Sequence, residues 1–183
     1  NSVTDTNGRK SFSVQFLHTR PDRLSASVLY FGGVERPRGA PEGQAWRQLF
    51  AAHVTARVSR SVSIQAHADT GFESTAFGRA SWRAAALTAR VTAAPWLFAA
   101  ARIDTLSETI PASAQGIASP LFFPTRRVWS VTATLEARPA ERLAARLEFR
   151  RDAAANAIYF RGGADASLSR TQSTLTFGVT AWF

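Results

Sequence analysis

The chain reads as all-β, an antiparallel up-and-down transmembrane β-barrel of about nine strands, and three observations predict this class. The C-terminal stretch alternates: Leu175, Phe177, Val179, Ala181 and the final Phe183 are apolar, while Thr174, Thr176, Gly178 and Thr180 are small or polar. A two-residue period sorts the two sets onto opposite faces of a strand. The same alternation recurs between short polar turns at 20–24, 59–62, 93–97 and 138–143 and longer Gly-, Pro-, Ser- and Ala-rich loops at roughly 32–45, 70–79, 105–126 and 152–170. Short turns at one end and long loops at the other are the pattern of a membrane barrel. Third, no run approaches the roughly 18 apolar residues of a spanning helix, and the longest candidate, 93–101, is broken by Pro95. A strand needs only about 9 to 11 residues to cross.

Each strand is defined by its apolar set. The first carries Phe12, Val14 and Phe16; the second Leu24, Ala26, Val28 and Tyr30; the third Phe50, Ala52, Val54, Ala56 and Val58; the fourth Val62, Ile64, Ala66 and Ala68. Ala85, Leu87, Ala89 and Val91 mark the fifth, Leu97, Ala99, Ala101 and Ile103 the sixth, and Trp129, Val131, Ala133, Leu135 and Ala137 the seventh. Leu143, Ala145, Leu147 and Phe149 form the eighth, before the closing strand. The opposite face collects Ser, Thr, Gln, His and charged side chains, including Arg47, Arg57, Arg90, Arg102, Asp104, Glu136, Arg146, Glu148 and Arg150, which are expected to line a lumen. A soluble sheet would turn this polarity round and bury Val54, Leu135 and Phe177 in a dry interior.

Aromatic residues gather near strand ends. Tyr30, Phe31, Trp46, Trp82, Trp129 and Phe149 lie toward the long loops, and Trp96, Trp182 and Phe183 toward the short turns; with Phe177 on the closing strand they suggest two interfacial girdles. Nine strands ending on the turn side place the start of the chain on the loop side. Complete single-chain bacterial barrels have even strand counts, so residues 1–183 are expected to be the C-terminal portion of one larger barrel domain. The remaining strands would come from the same chain or from another.

The net charge of +9 rests on 22 basic residues, of which only Lys10 is lysine. The arginines are spread through strands and loops rather than clustered, which argues against nucleic acid and for a charged pore beside an anionic membrane surface. With no cysteine there is neither a disulfide framework nor a thiolate metal site.

Two constellations carry chemistry. If the hairpin is symmetric about Arg60, His53 and His67 face each other across two strands, with Asp69 one same-face step beyond. Two imidazoles and a carboxylate suit a weak metal site or an oriented base; the plainer and preferred reading is that they line water and hydrogen-bond each other. No nucleophile motif accompanies them, and no cofactor is implied. The second is an ionic ladder, Arg146, Glu148 and Arg150 on one strand with Glu136 diagonal to Arg146 on its neighbour. Six lumen arginines, at 47, 57, 90, 102, 146 and 150, against four acids, at 69, 104, 136 and 148, predict a weak anion preference. Arg36, Arg38, Arg79, Arg83, Arg126, Arg127, Arg151, Arg161 and Arg170 sit in or beside the loops, where guanidinium groups suit the phosphates of lipopolysaccharide.

The stretch 143–152 (LAARLEFRRD), then 170–179 (RTQSTLTFGV) and the closing Ala181, Trp182 and Phe183 resemble the end of the OmpL-like β-barrel porins. Segments 1–7, 30–33 and 46–50 are similar to earlier parts of that family. The resemblance implies a bacterial outer-membrane protein that lets small hydrophilic solutes diffuse passively and has no catalytic residues. Expected partners are outer-membrane lipid, lipopolysaccharide, the remaining strands, and a homo-oligomer or larger membrane assembly. A structural wall completed by a partner chain, and an outer-membrane enzyme using the His pair, are the alternatives.

Overall fold

The computed structural model describes residues 8–41, 43–111, 125–161 and 167–183. Segment 1–7 and the 112–124 part of the 105–126 loop, with Pro120 and Pro124, lie outside them. Eleven strands follow in order: β1 (Phe12–Arg20), β2 (Leu24–Val34), β3 (Trp46–Arg57), β4 (Val62–Thr75), β5 (Gly78–Ala94), β6 (Leu97–Thr109), β7 (Arg127–Ala140), β8 (Leu143–Ala154), β9 (Tyr159–Phe160), β10 (Leu168–Ser169) and β11 (Thr171–Ala181). All neighbours pair antiparallel, in a nine-stranded sheet β1-β2-β3-β4-β5-β6-β7-β8-β11 and a two-stranded ribbon of β9 and β10.

The four short turns fall where the polar breaks place them. Asp22, at φ 59°, supplies the left-handed residue of the β1–β2 turn. The side chain of Ser59 accepts hydrogen bonds from the backbone N–H groups of Ser61 and Val62, closing β3 onto β4. Pro95 interrupts neither β5 nor β6, because it lies just past Ala94 in the connecting turn.

The expected 70–79 loop is instead strand on both sides of a tight turn. Register runs unbroken from Val62↔Val91 to Thr75↔Gly78. Gly78, at φ +120°, allows the reversal, and Thr75 caps it through Oγ1, which accepts from the Phe77 N–H and donates to the Gly78 carbonyl. The 152–170 loop contains the ribbon of β9 and β10, and burial against Asp152 and its surroundings pushes the Tyr159 hydroxyl above its ordinary pKa.

The expected transmembrane β-barrel is not what the described residues form. Both sheets are open, and among the described residues β1 and β11 each have a strand on one side only. The reason is directional: in an antiparallel sheet of nine strands the first and last run the same way, so β1 and β11 cannot close on each other by antiparallel pairing.

The two faces are nevertheless sorted in register. Opposed residues point to the same side of a sheet, and the pairings Val28↔Ala52, Ala52↔Ala68, Ala66↔Leu87, Leu87↔Ile103, Ile103↔Val131, Leu135↔Leu147 and Phe177↔Leu147 carry one apolar face from β2 to β11. Val54, Leu135 and Phe177 are 38%, 48% and 69% exposed, so this face is not a dry protein interior. Among the described residues the buried apolar side chains are few: Val34, Ala45, Ala80 and Trp82, gathered at the loop end.

Candidate functional site

Period-two geometry puts the charged side chains on the other face, where the pairings repeat strand by strand: Arg47↔Glu73, His53↔His67, Thr88↔Arg102, Asp104↔Ser130, Thr132↔Arg150 and Glu136↔Arg146. Arg47, Arg90, Arg102, Asp104, Glu136, Arg146, Glu148 and Arg150 all lie there as expected from the alternation. Arg57 also does, and meets the exposed Asp22 in the first turn at 3.6 Å.

Glu136 is the hub of the turn-side half. Arg146, directly opposite rather than diagonal, donates from Nε and Nη2 to Oε2 at 3.2 and 2.6 Å. Arg138 donates from Nε to Oε1 at 2.8 Å, and its Nη2 lies 2.7 Å from the same oxygen. Arg90 Nη2 stands 3.9 Å from Oε1. The neighbouring strand presents Phe98, whose ring lies under the guanidinium carbons of Arg90 at 4.4 Å and Arg138 at 5.0 Å. These groups line a cavity of about 400 Å³ together with Arg102, Thr134 and Glu148.

A second network joins β7, β8 and β11. Asp152 accepts from Ser130 Oγ at 2.5 Å, from Arg150 Nε at 2.8 Å and from Gln172 Nε2 at 3.2 Å, and Arg150 Nη2 donates to Ser130 Oγ at 2.9 Å. At the loop end Glu73 is fully buried, held by Arg36 and by two hydrogen bonds from Arg47 at 2.8 and 3.0 Å. Trp82 packs beside it at 3% exposure, with the Arg47 guanidinium 5.9 Å from its ring, across from Gly71.

That placement moves Trp82 from the expected interfacial girdle to the charged face. Tyr30 and Phe50 do face the apolar side, with ring centroids 5.0 Å apart, as do Trp129, Phe149 and Phe177. Trp46 packs on Phe12 at 6.0 Å. Trp96 lies in the β5–β6 turn, and Trp182 and Phe183 follow β11.

His53 and His67 are direct partners as the hairpin symmetry predicts, with ring centroids 6.3 Å apart. His67 Nε2 stands 3.8 Å from Asp69, and His53 Nε2 lies 3.5 Å from Thr55 Oγ1. Among the described residues no three His, Cys, Asp or Glu side chains come together as a metal-holding group.

Sequence reasoning missed Glu73, Glu108, Arg138 and Asp152 as members of the charged face. Three were legible: continuing the two-residue step from Arg150 reaches Asp152, from Glu136 reaches Arg138, and from Asp69 through Gly71 reaches Glu73. With them the face holds seven arginines, at 47, 57, 90, 102, 138, 146 and 150, against seven carboxylates, at 69, 73, 104, 108, 136, 148 and 152. Over these strand positions the expected surplus of arginine is therefore absent. It survives locally, because the cavity around Glu136 holds Arg90, Arg102, Arg138 and Arg146 against Glu136 and Glu148. Nearer the loops the same face is apolar instead: Phe31, Leu49, Trp82 and Leu106 line a cavity of about 630 Å³ with Arg47, His67 and Asp69.

Of the loop arginines, Arg36 binds Glu73 and Arg79 lies 3.8 Å over the Phe72 ring. Arg83 and Arg151 share the apolar face, opposite Thr70 and Val131 respectively, beyond its densest apolar positions.

Comparison with known families decides the assignment. The model of the family described as "Putative beta-barrel porin-2, OmpL-like" matches residues 1–183. The chain belongs to this OmpL-like porin family. Membership assigns it to the outer membrane and to a porin-like class, and fits a non-catalytic protein. No curated protein and no solved structure matches the chain.

Proposed function

We propose that the nine-stranded sheet is one wall of a passive path by which small hydrophilic solutes and ions cross the outer membrane, its apolar face against lipid and its charged face against water. The observation that carries this reading is the register-by-register sorting of the faces: a half-exposed apolar surface spans β2 to β11, and the opposite surface carries clusters of paired arginines and carboxylates around Glu136, Asp152 and Glu73. Exposed apolar area on that scale needs a cover, and acyl chains supply one without a second protein layer. Unpaired backbone groups in hydrocarbon cost several kcal/mol each. The outer edges of β1 and β11 are therefore paired in the membrane by further strands of the same protein or of a partner. The evenly balanced charge implies little overall ion preference, and opposed Arg and acid side chains order water in a way that favours polar over apolar solutes. Arg83 and Arg151 reach lipopolysaccharide phosphates from the lipid-side face.

The test is the full-length protein reconstituted into planar bilayers and sugar-loaded vesicles. Stepwise ion conductance and passage of small sugars are expected. Intact insertion with neither conductance nor sugar passage overturns the reading. In that case a structural role, favoured by the two one-sided sheet edges, takes its place, and a co-purifying chain cross-linked to β1 or β11 supports it.

A further inference from the structure

The geometry points to a discrete binding station for small dianionic oxyanions, phosphate and phosphate-like groups, formed by Arg90, Arg138 and Arg146 around Glu136. The inference rests on the reading above in one respect, that this face meets solute rather than lipid.

Charge counting is the first support. Three guanidinium groups converge on one carboxylate, leaving two positive charges uncompensated within the cluster. The wider cavity adds Glu148 and Arg102, the latter 3.3 Å from Asp104, and its lining still holds more arginines than carboxylates. Donor counting is the second. A carboxylate offers about four acceptor sites, whereas three guanidinium groups offer about fifteen N–H donors. The Nε and Nη2 edges of Arg138 and Arg146 are turned onto Glu136, so their Nη1 groups and most of Arg90 remain for another acceptor.

Geometry is the third. Glu136 is only a tenth exposed, while Arg90, Arg138 and Arg146 are 45%, 48% and 59% exposed, so the carboxylate forms the floor and the cations form the rim. Phe98 stands opposite Glu136 and stacks under both Arg90 and Arg138, which fixes their planes. A planar fork held in place loses less freedom on binding an oxyanion, and bidentate guanidinium contacts suit phosphate oxygens. Glu136 thus acts as a resident counter-ion that an incoming dianion partly supplants. A solute would be held there briefly, as conduction through a multi-site path requires.

Calorimetric titration of inorganic phosphate into the full-length protein in zwitterionic detergent tests the station. Saturable binding near one per chain is expected. Arg90→Gln with Arg138→Gln should weaken it at least tenfold, and Arg90→Lys, which keeps the charge, should weaken it less. Glu136→Gln should tighten it severalfold by removing the competing carboxylate, whereas a purely structural ion cluster predicts loss or no change. Adding phosphatidylglycerol to the micelles separates the sources: a free-solute site keeps its phosphate affinity, and competition by the lipid assigns the station to a headgroup. Absence of saturable binding, or binding unaltered in the double glutamine variant with its β signal intact, overturns the proposal. Conductance without phosphate binding leaves the wall reading standing and removes the station. Phosphate binding without conductance does the reverse.

Discussion

Replacing Glu73 probes how the loop end of the sheet is held. Its carboxylate is fully buried, and the two arginines on it are 11% and 20% exposed, so removing the acid takes a buried counter-ion from two poorly hydrated cations. Breaking a buried ion pair by deleting one partner costs about 3–5 kcal/mol. The arginines keep some access to water and can turn toward it, which places Glu73→Ala near the low end, about 3 kcal/mol. Glu73→Gln preserves shape and one acceptor and should cost about 2 kcal/mol, because hydrogen bonds to a charged group are worth roughly 1.5–3 kcal/mol. Arg47→Gln should cost less than either, since Arg36 remains on the carboxylate, although the contact of Arg47 with Trp82 adds about 0.5 kcal/mol. Urea unfolding of the full-length protein in lipid vesicles, followed by tryptophan fluorescence, reads these differences directly. At a slope of about 2 kcal/mol per molar urea the alanine change moves the midpoint down by about 1.5 M. A Glu73→Ala midpoint indistinguishable from the parent would refute the reasoning that this cluster anchors β3 to β4.

Further outcomes follow from the same packing. Gly71→Ala points a methyl group into the Trp82 indole and to 2.6 Å from the Gln48 carbonyl oxygen, so it should destabilise by about 1–3 kcal/mol in the same unfolding assay. Leu147→Arg, on the apolar face between Leu135 and Phe177, should cost about 2–4 kcal/mol of membrane-folded stability, while Thr176→Arg on the charged face beside Glu148 should cost under about 1 kcal/mol. Replacing Arg83 and Arg151 together by Gln should reduce lipopolysaccharide retained through purification, measured by mass spectrometry, without altering conductance.

Local pattern in the sequence located most of the strands, the four short turns and the sorting of faces, because a two-residue period and a polar break are written in adjacent residues. Closure was not legible in the same way. Alternation says which side of a strand is greasy but carries nothing about what borders β1 and β11, and nine antiparallel strands leave those two edges running in one direction. The 70–79 segment was misread because Gly71, Glu73 and Ser74 dilute its hydrophobic pattern. Its strand is fixed by partners far along the chain, Arg47 across from Glu73 and Trp82 across from Gly71. Trp82 was given to the membrane interface on residue type, although its even position beside Ala84 and Ala86 already set it on the face of Glu73. The His53–His67 pair and the Arg146–Glu136 pair were both legible from hairpin symmetry, the latter standing as a direct pair rather than a diagonal one.

The central claim is that one face of this sheet meets acyl chains and the other meets water. Because residues 1–183 contain no cysteine, each single substitution along β8 from Ala144→Cys to Arg150→Cys adds the one spin-label site within this sequence, and the labelled protein is measured in lipid. Collision with oxygen, which partitions into hydrocarbon, should peak at 145, 147 and 149, and collision with a water-soluble nickel chelate at 144, 146, 148 and 150. A reversed alternation, or high chelate access at 145, 147 and 149 alike, would contradict the account.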